Sequence, residues 1–82
     1  MAKEAFISKY MKEIVIKNKV KLARAEKELT QEQLANLIGV TRQTIFLIEA
    51  GRYNPTIKLC LMLAHVLDKN LDELFMVEKG EI

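Results

Sequence analysis

Apolar residues recur three and four positions apart over two short stretches of this chain, with a glycine between them. In residues 31–38 the stripe is Leu34, Ala35, Leu37 and Ile38, and in residues 42–50 it is Ile45, Leu47, Ile48 and Ala50. That spacing places each set on one side of a helix, so the pattern predicts two amphipathic helices meeting along their apolar faces. Ala35 puts only a methyl group at the middle of the first face and admits a close crossing. Gly39 lies where the first helix must end, and without a Cβ it can take a positive φ at little cost. Thr30 with Gln33 three residues later has the form of a capping box, and Thr41 can cap the second helix. Only Gly39 and Val40 are left for the turn.

The same periodicity organises the rest of the chain. Residues 18–28 form a helix with Val20, Leu22, Ala23 and Ala25 apolar and Lys19, Lys21, Arg24 and Lys27 polar, broken before Thr30. Gly51 ends the helix over 42–50, Asn54-Pro55 signals a turn, and Thr56 caps a helix over 57–67 that buries Ile57, Leu61, Ala64 and Leu67 and their neighbours. A short fifth helix follows around Leu71–Phe75, with Asn70 and Glu73 as a second capping pair. Residues 13–17 and 74–78 are rich in β-branched or extended-prone side chains and are expected to pair as a small antiparallel ribbon closing the domain. The fold class is therefore all-α, five helices with a helix-turn-helix at 31–50 and a two-stranded ribbon. Residues 13–82 make the domain. Residues 1–12 are an N-terminal extension, either a frayed tail or a helix carrying Phe6, Tyr10 and Met11 on the face of Ile14, with Met11 an alternative start.

Composition narrows the function. The 82 residues suffice for one modest core. Apolar runs are far shorter than the roughly 20 residues a membrane span needs, and the N-terminal stretch lacks a signal-peptide pattern, so a cytoplasmic protein is expected. Cys60 is the single cysteine and lies among leucines, which reads as a small buried residue. His65 is the single histidine. With no paired acids, Ser-His arrangement, phosphate-binding glycine loop or multi-cysteine spacing, an enzyme, a metal site and a cofactor are not expected, and no small-molecule ligand is evident. Net charge is only +2, but residues 1–29 hold eight Lys or Arg against four acids while residues 71–82 hold one Lys against four acids. Such polarity can steer a polyanion to one end, or be an ordinary solvated distribution.

The outer face of the helix over 42–50 carries the functional chemistry. Arg42, Gln43 and Thr44 fill its first turn and Phe46 follows. An arginine can bond bidentately to guanine, a glutamine to adenine, and Thr or Phe can lie against a thymine methyl. The helix start adds a partial positive charge that favours phosphate. Arg52, Tyr53 and Asn54 follow in the loop, placed to touch phosphates flanking the groove. The competing reading is a solvated first turn and plain loop chemistry.

From about Asn18 to Phe75 the chain resembles the Cro-like phage-repressor helix-turn-helix family, also called the xenobiotic-response-element family. The resemblance rests on Thr30-Gln31, Ala35, Gly39, Val40, Thr41-Arg42-Gln43-Thr44-Ile45, Ile48-Glu49-Ala50-Gly51-Arg52 and Asn54-Pro55-Thr56. It implies that Arg42 and Gln43 are the principal base readers, that Thr44 and Phe46 support them, and that Thr30, Gln31 and Thr41 contact phosphate beside the loop residues. Phe46 and Leu47 fall where relatives carry a third reader, and being apolar they fit a thymine methyl or packing rather than a hydrogen bond. It also implies an ion pair between Arg24 and Glu49 that orients the reading helix. One such helix spans only about four base pairs, and the family pairs two subunits so that two helices enter successive major grooves about 34 Å apart. Leu71, Leu74, Phe75, Met76 and Val77 make the C-terminal region the expected homodimer interface. The expected function is a transcriptional regulator, a repressor binding an inverted-repeat operator in double-stranded DNA. The alternative is an antitoxin-like or adaptor module that uses the same fold to hold a protein.

Overall fold

The computed structural model describes residues 14–79 and places five helices against a two-stranded antiparallel ribbon. In chain order these are β1 (Ile14–Asn18), α1 (Val20–Glu26), α2 (Gln31–Ile38), α3 (Arg42–Glu49), α4 (Ile57–Leu67), α5 (Leu71–Leu74) and β2 (Phe75–Lys79). The expectations for residues 1–12 lie outside the described residues. The helix starts follow the polar signals in the sequence. Thr30, Thr41 and Thr56 each accept a bond from the backbone amide three residues on, and the amide of Thr30 in turn donates to Gln33 Oε1 at 2.8 Å. Each such cap satisfies an amide that the helix cannot, worth about 1 kcal/mol. Gly39 and Gly51, at φ 77° and 72°, turn the chain out of α2 and past α3.

Strand pairing sets Ile14 against Lys79, Ile16 against Val77 and Asn18 against Phe75. Both strands sit one residue later than the pattern placed them. Leu74 completes α5 before Phe75 becomes extended, and Asn18 closes β1 instead of opening α1. The first helix is accordingly shorter than 18–28, and it ends before Glu28, which takes a left-handed φ of 57°. An amide from Lys19 to the carbonyl of Leu74 at 2.8 Å locks the start of α1 to the end of α5.

The core is built from Val20, Ala23, Leu34, Ala35, Ile38, Ile45, Ile48, Leu63, Ala64, Leu67 and Leu74, with Cys60 at its margin. Among the described residues no polar or charged residue is buried. Three expected core positions face outward instead: Leu37, Ile57 and Leu61. The buried stripe of α4 is Cys60, Leu63, Ala64 and Leu67, a rotation away from the face of Ile57 and Leu61. Apolar side chains fill α4 at every position but Lys58 and His65, so periodicity alone could not choose its inner side. Leu22 and Ala25 on α1, and Ala50 just beyond α3, are likewise exposed.

Candidate nucleic-acid interface

Three residues, Gly39, Val40 and Thr41, separate α2 from α3. The amides of Gly39 and Val40 both reach the carbonyl of Ala35, at 2.9 and 3.0 Å, which reverses the chain within one turn. Ala35 itself is 1% exposed, and the small side chain lets α3 cross close behind α2. On α3, Ile45 and Ile48 are enclosed by the core. Because Ile45 and Ile48 point inward, Arg42, Gln43 and Phe46 are turned out to solvent on the opposite side, and Thr44 lies partly covered between them. Thr41 caps the helix with its hydroxyl 3.3 Å from the amide of Thr44 and 3.2 Å from the Thr44 hydroxyl. A guanidinium, a carboxamide and an aromatic edge thus project together from one helix start.

The other end of α3 is held by charge. Arg24 Nε donates to Glu49 Oε2 at 2.7 Å and Arg24 Nη2 to Glu49 Oε1 at 3.2 Å, while Nη1 donates to the carbonyl of Leu29 at 2.8 Å. Their side chains are only 15% and 5% exposed. The hydrogen bond to Glu49 pushes the Arg24 pKa further up, against the opposing effect of burial, so the arginine stays charged. Gln31 Nε2 also donates to Glu49 Oε1, at 3.0 Å. The pair expected from the sequence is therefore a three-residue cluster joining α1, α2 and α3. A primary amide has a second hydrogen, so the bond to Glu49 leaves Gln31 a donor for another acceptor.

The remaining named residues divide by location. Thr30 and Gln31 begin α2, Thr41 precedes α3, and Arg52, Tyr53 and Asn54 are exposed in the loop after it. Asn54 also borders an apolar groove of about 520 Å³ on the ribbon side, lined by Ile16, Ile57, Leu71, Phe75 and Val77 among others. Of the five residues expected to pair subunits, Leu71, Phe75, Met76 and Val77 line this groove. Leu74 does not: it is 0% exposed and belongs to the core of its own chain, because the short α5 turns it inward. The pattern missed Ile57, 70% exposed, and Asn18, whose side chain bonds the carbonyl of Ile48 at 2.8 Å. A lone asparagine where a β-branched run gives way to a helix was the one signal for Asn18. Nothing in an apolar-all-round α4 marked Ile57.

Other chemistry is sparse. Burial pushes the Cys60 thiol up, away from the reactive thiolate. Among the described residues no group of three His, Cys, Asp or Glu could hold a metal ion, and no helix is long and apolar enough to cross a membrane. Lys17 and Glu78 pair across the ribbon at 2.8 Å in full solvent, where such a contact contributes little.

A family model described as helix-turn-helix matches residues 20–74, from the first residue of α1 to the last of α5, and leaves both ribbon strands outside. An uncharacterized HTH-type transcriptional regulator of Methanocaldococcus jannaschii is 44% identical over 66 residues, covering 80% of this chain and 100% of the relative. Another from Archaeoglobus fulgidus is 36% identical over 67 residues, covering 82% and 94%. Among solved structures, the restriction-modification controller protein C.AhdI from Aeromonas hydrophila superimposes with a TM-score of 0.61 at 35% identity, over 66% of this chain and 78% of that one.

Proposed function

The chain belongs to the Cro-like, xenobiotic-response-element type of the helix-turn-helix family, and from that membership we propose that it regulates transcription as a homodimer on an inverted-repeat operator, repressing by occlusion of a promoter. That it is a DNA-binding regulator and not an enzyme follows from the family and its relatives. The observation that carries the finer reading is the outward pair Arg42 and Gln43 at a capped helix start, with the Arg24–Glu49–Gln31 cluster behind that helix. Arg42 and Gln43 read base edges in the major groove, Thr44 and Phe46 offer methyl and ring to thymine, and the positive start of α3 draws in the flanking phosphate. Thr30, Gln31, Thr41, Arg52, Tyr53 and Asn54 hold the backbone on either side. Such contacts set register without reading sequence.

A second copy supplies the remainder of the site. The groove side of the protein exposes Ile16, Ile57 and Val77 beside Leu71, Phe75 and Met76, and pairing through it covers apolar surface that water otherwise meets. Two reading helices related by a twofold axis then face successive major grooves, about 34 Å apart. The protein acts in the cytoplasm on double-stranded DNA. Selection of bound duplexes from a random pool with the purified protein tests the proposal. Enrichment of an inverted repeat with one defined spacing is expected; recovery of sequences without symmetry, or of none above background, ends it.

A further inference from the structure

Asn18 stands where three elements meet. Its backbone closes β1 opposite Phe75. Its Oδ1 accepts from the amide of Val20 at 3.1 Å, at the start of α1. Its Nδ2 donates to the carbonyl of Ile48 at 2.8 Å, in the last turn of α3. That carbonyl also accepts from the amide of Gly51 at 3.0 Å, so both of its lone pairs are engaged. The next residue, Lys19, is itself bonded to Leu74 at the end of α5. One partly buried carboxamide therefore connects the end of the reading helix to the strand whose partner, β2, carries Val77.

The other contacts of α3 come from the core and from the charged cluster shared with α1 and α2. Burial of Ile45 and Ile48 fixes how deeply the helix sits and roughly how it crosses its neighbours, but apolar packing alone does not define direction sharply. A hydrogen bond does, losing strength steeply as its angle closes. The ion pair at Glu49 restrains the same end towards α1 and α2, and Asn18 restrains it towards the ribbon. An eight-residue helix is about 12 Å long, so a small tilt about its C-terminal end displaces Arg42 and Gln43 by an appreciable fraction of a hydrogen-bond length.

We infer that Asn18 is a positioning residue for DNA reading: its side-chain bond to Ile48 sets the pose of α3 relative to the ribbon, and through it the separation of the two reading helices in the dimer. This rests on α3 being the reading helix. Two substitutions in the full chain separate the bond to α3 from the bond to α1. Asn18→Asp keeps the shape and the acceptor for Val20 but turns a second acceptor towards the Ile48 carbonyl. Asn18→Ser keeps a hydroxyl acceptor and is too short to span to α3.

Affinity is measured for the selected operator, for random duplex, and for operators with one base pair added or removed between half-sites, with folding followed by circular dichroism. Both variants are expected to lose about tenfold on the operator, the size of one hydrogen bond, while random duplex binds as before and the preference for one spacing flattens. A purely structural role would move melting without moving spacing. In the wild-type protein the side-chain amide hydrogens of Asn18 are expected to exchange slowly and to stay protected on the operator. Loss of that protection on binding overturns the proposal whatever the variants do. Wild-type preference for sequence and spacing that survives in both variants overturns this proposal alone, whereas a wild-type protein with no preference among duplexes overturns it together with the reading of α3.

Discussion

Arg42 and Gln43 owe their accessibility to the residues behind them. Ile45 and Ile48 fill the inner side of α3, and the bonded Glu49 restrains its last turn. Replacing Arg42 or Gln43 with alanine is expected to reduce operator affinity by about 1 to 3 kcal/mol each and to relax preference at one base position, leaving random duplex nearly unaffected. Titrations of both duplexes check this, and equal loss on the two would remove these residues from the reading role. Glu49 acts through stability. Cutting it to alanine strands Arg24 in a site where only 15% of that side chain meets water, and should destabilise the fold by roughly 3 kcal/mol. Replacing both partners with methionine should recover most of that, since the pair's attraction is largely offset by desolvation. Urea unfolding of the single and double variants decides it; a single variant within experimental error of wild type would show that the pair contributes nothing to stability.

At the scale of elements, the join between α2 and α3 is set by one backbone conformation. Gly39 has φ 77°, and a Cβ built there would meet nothing within 4 Å. The cost of Gly39→Ala is therefore a backbone cost alone, roughly 1 to 2 kcal/mol for a left-handed residue. Asparagine, which tolerates that region, should lose less than alanine. The comparison of urea midpoints for the two variants checks the origin of the effect, because a steric clash would penalise asparagine more. The start of α3 was legible for a similar local reason: Thr41 bonds a group three residues away, and such signals survive in any surroundings. The inner side of α4 was not. Its side chains are nearly all apolar, so the choice between Leu61 and Leu63 was made by the helices that pack on it, α1, α2 and α5.

For the molecule as a whole, mechanism turns on the proposed pairing surface. Ile57 is 70% exposed and Val77 57% exposed, so charges placed there disturb little packing within one chain. The double variant Ile57→Asp, Val77→Asp is expected to melt close to the wild type yet sediment as a monomer. Its operator affinity should fall by at least about 100-fold as the second half-site ceases to be tethered. A variant that remains a dimer in the ultracentrifuge would place the interface elsewhere. The family match stops at Val20 and Leu74, and the ribbon beyond it contributes Ile16 and Val77 to the groove. The part of this protein outside the shared helices thus shapes the surface proposed to choose its partner.

The helices, their caps, the Gly39 turn, the two strands and the outward set Arg42, Gln43 and Phe46 were all legible in the sequence, since each depends on residues within a few positions of one another or on a short β-branched or apolar run. Tertiary structure alone decided the rest. It buried Leu74, exposed Ile57 and Leu61, drew Gln31 into the Arg24–Glu49 pair and joined Asn18 to Ile48, thirty positions along the chain. Those outcomes depend on which surfaces remain free once the helices have packed, and on carbonyls brought near by folding, neither of which has a period to read.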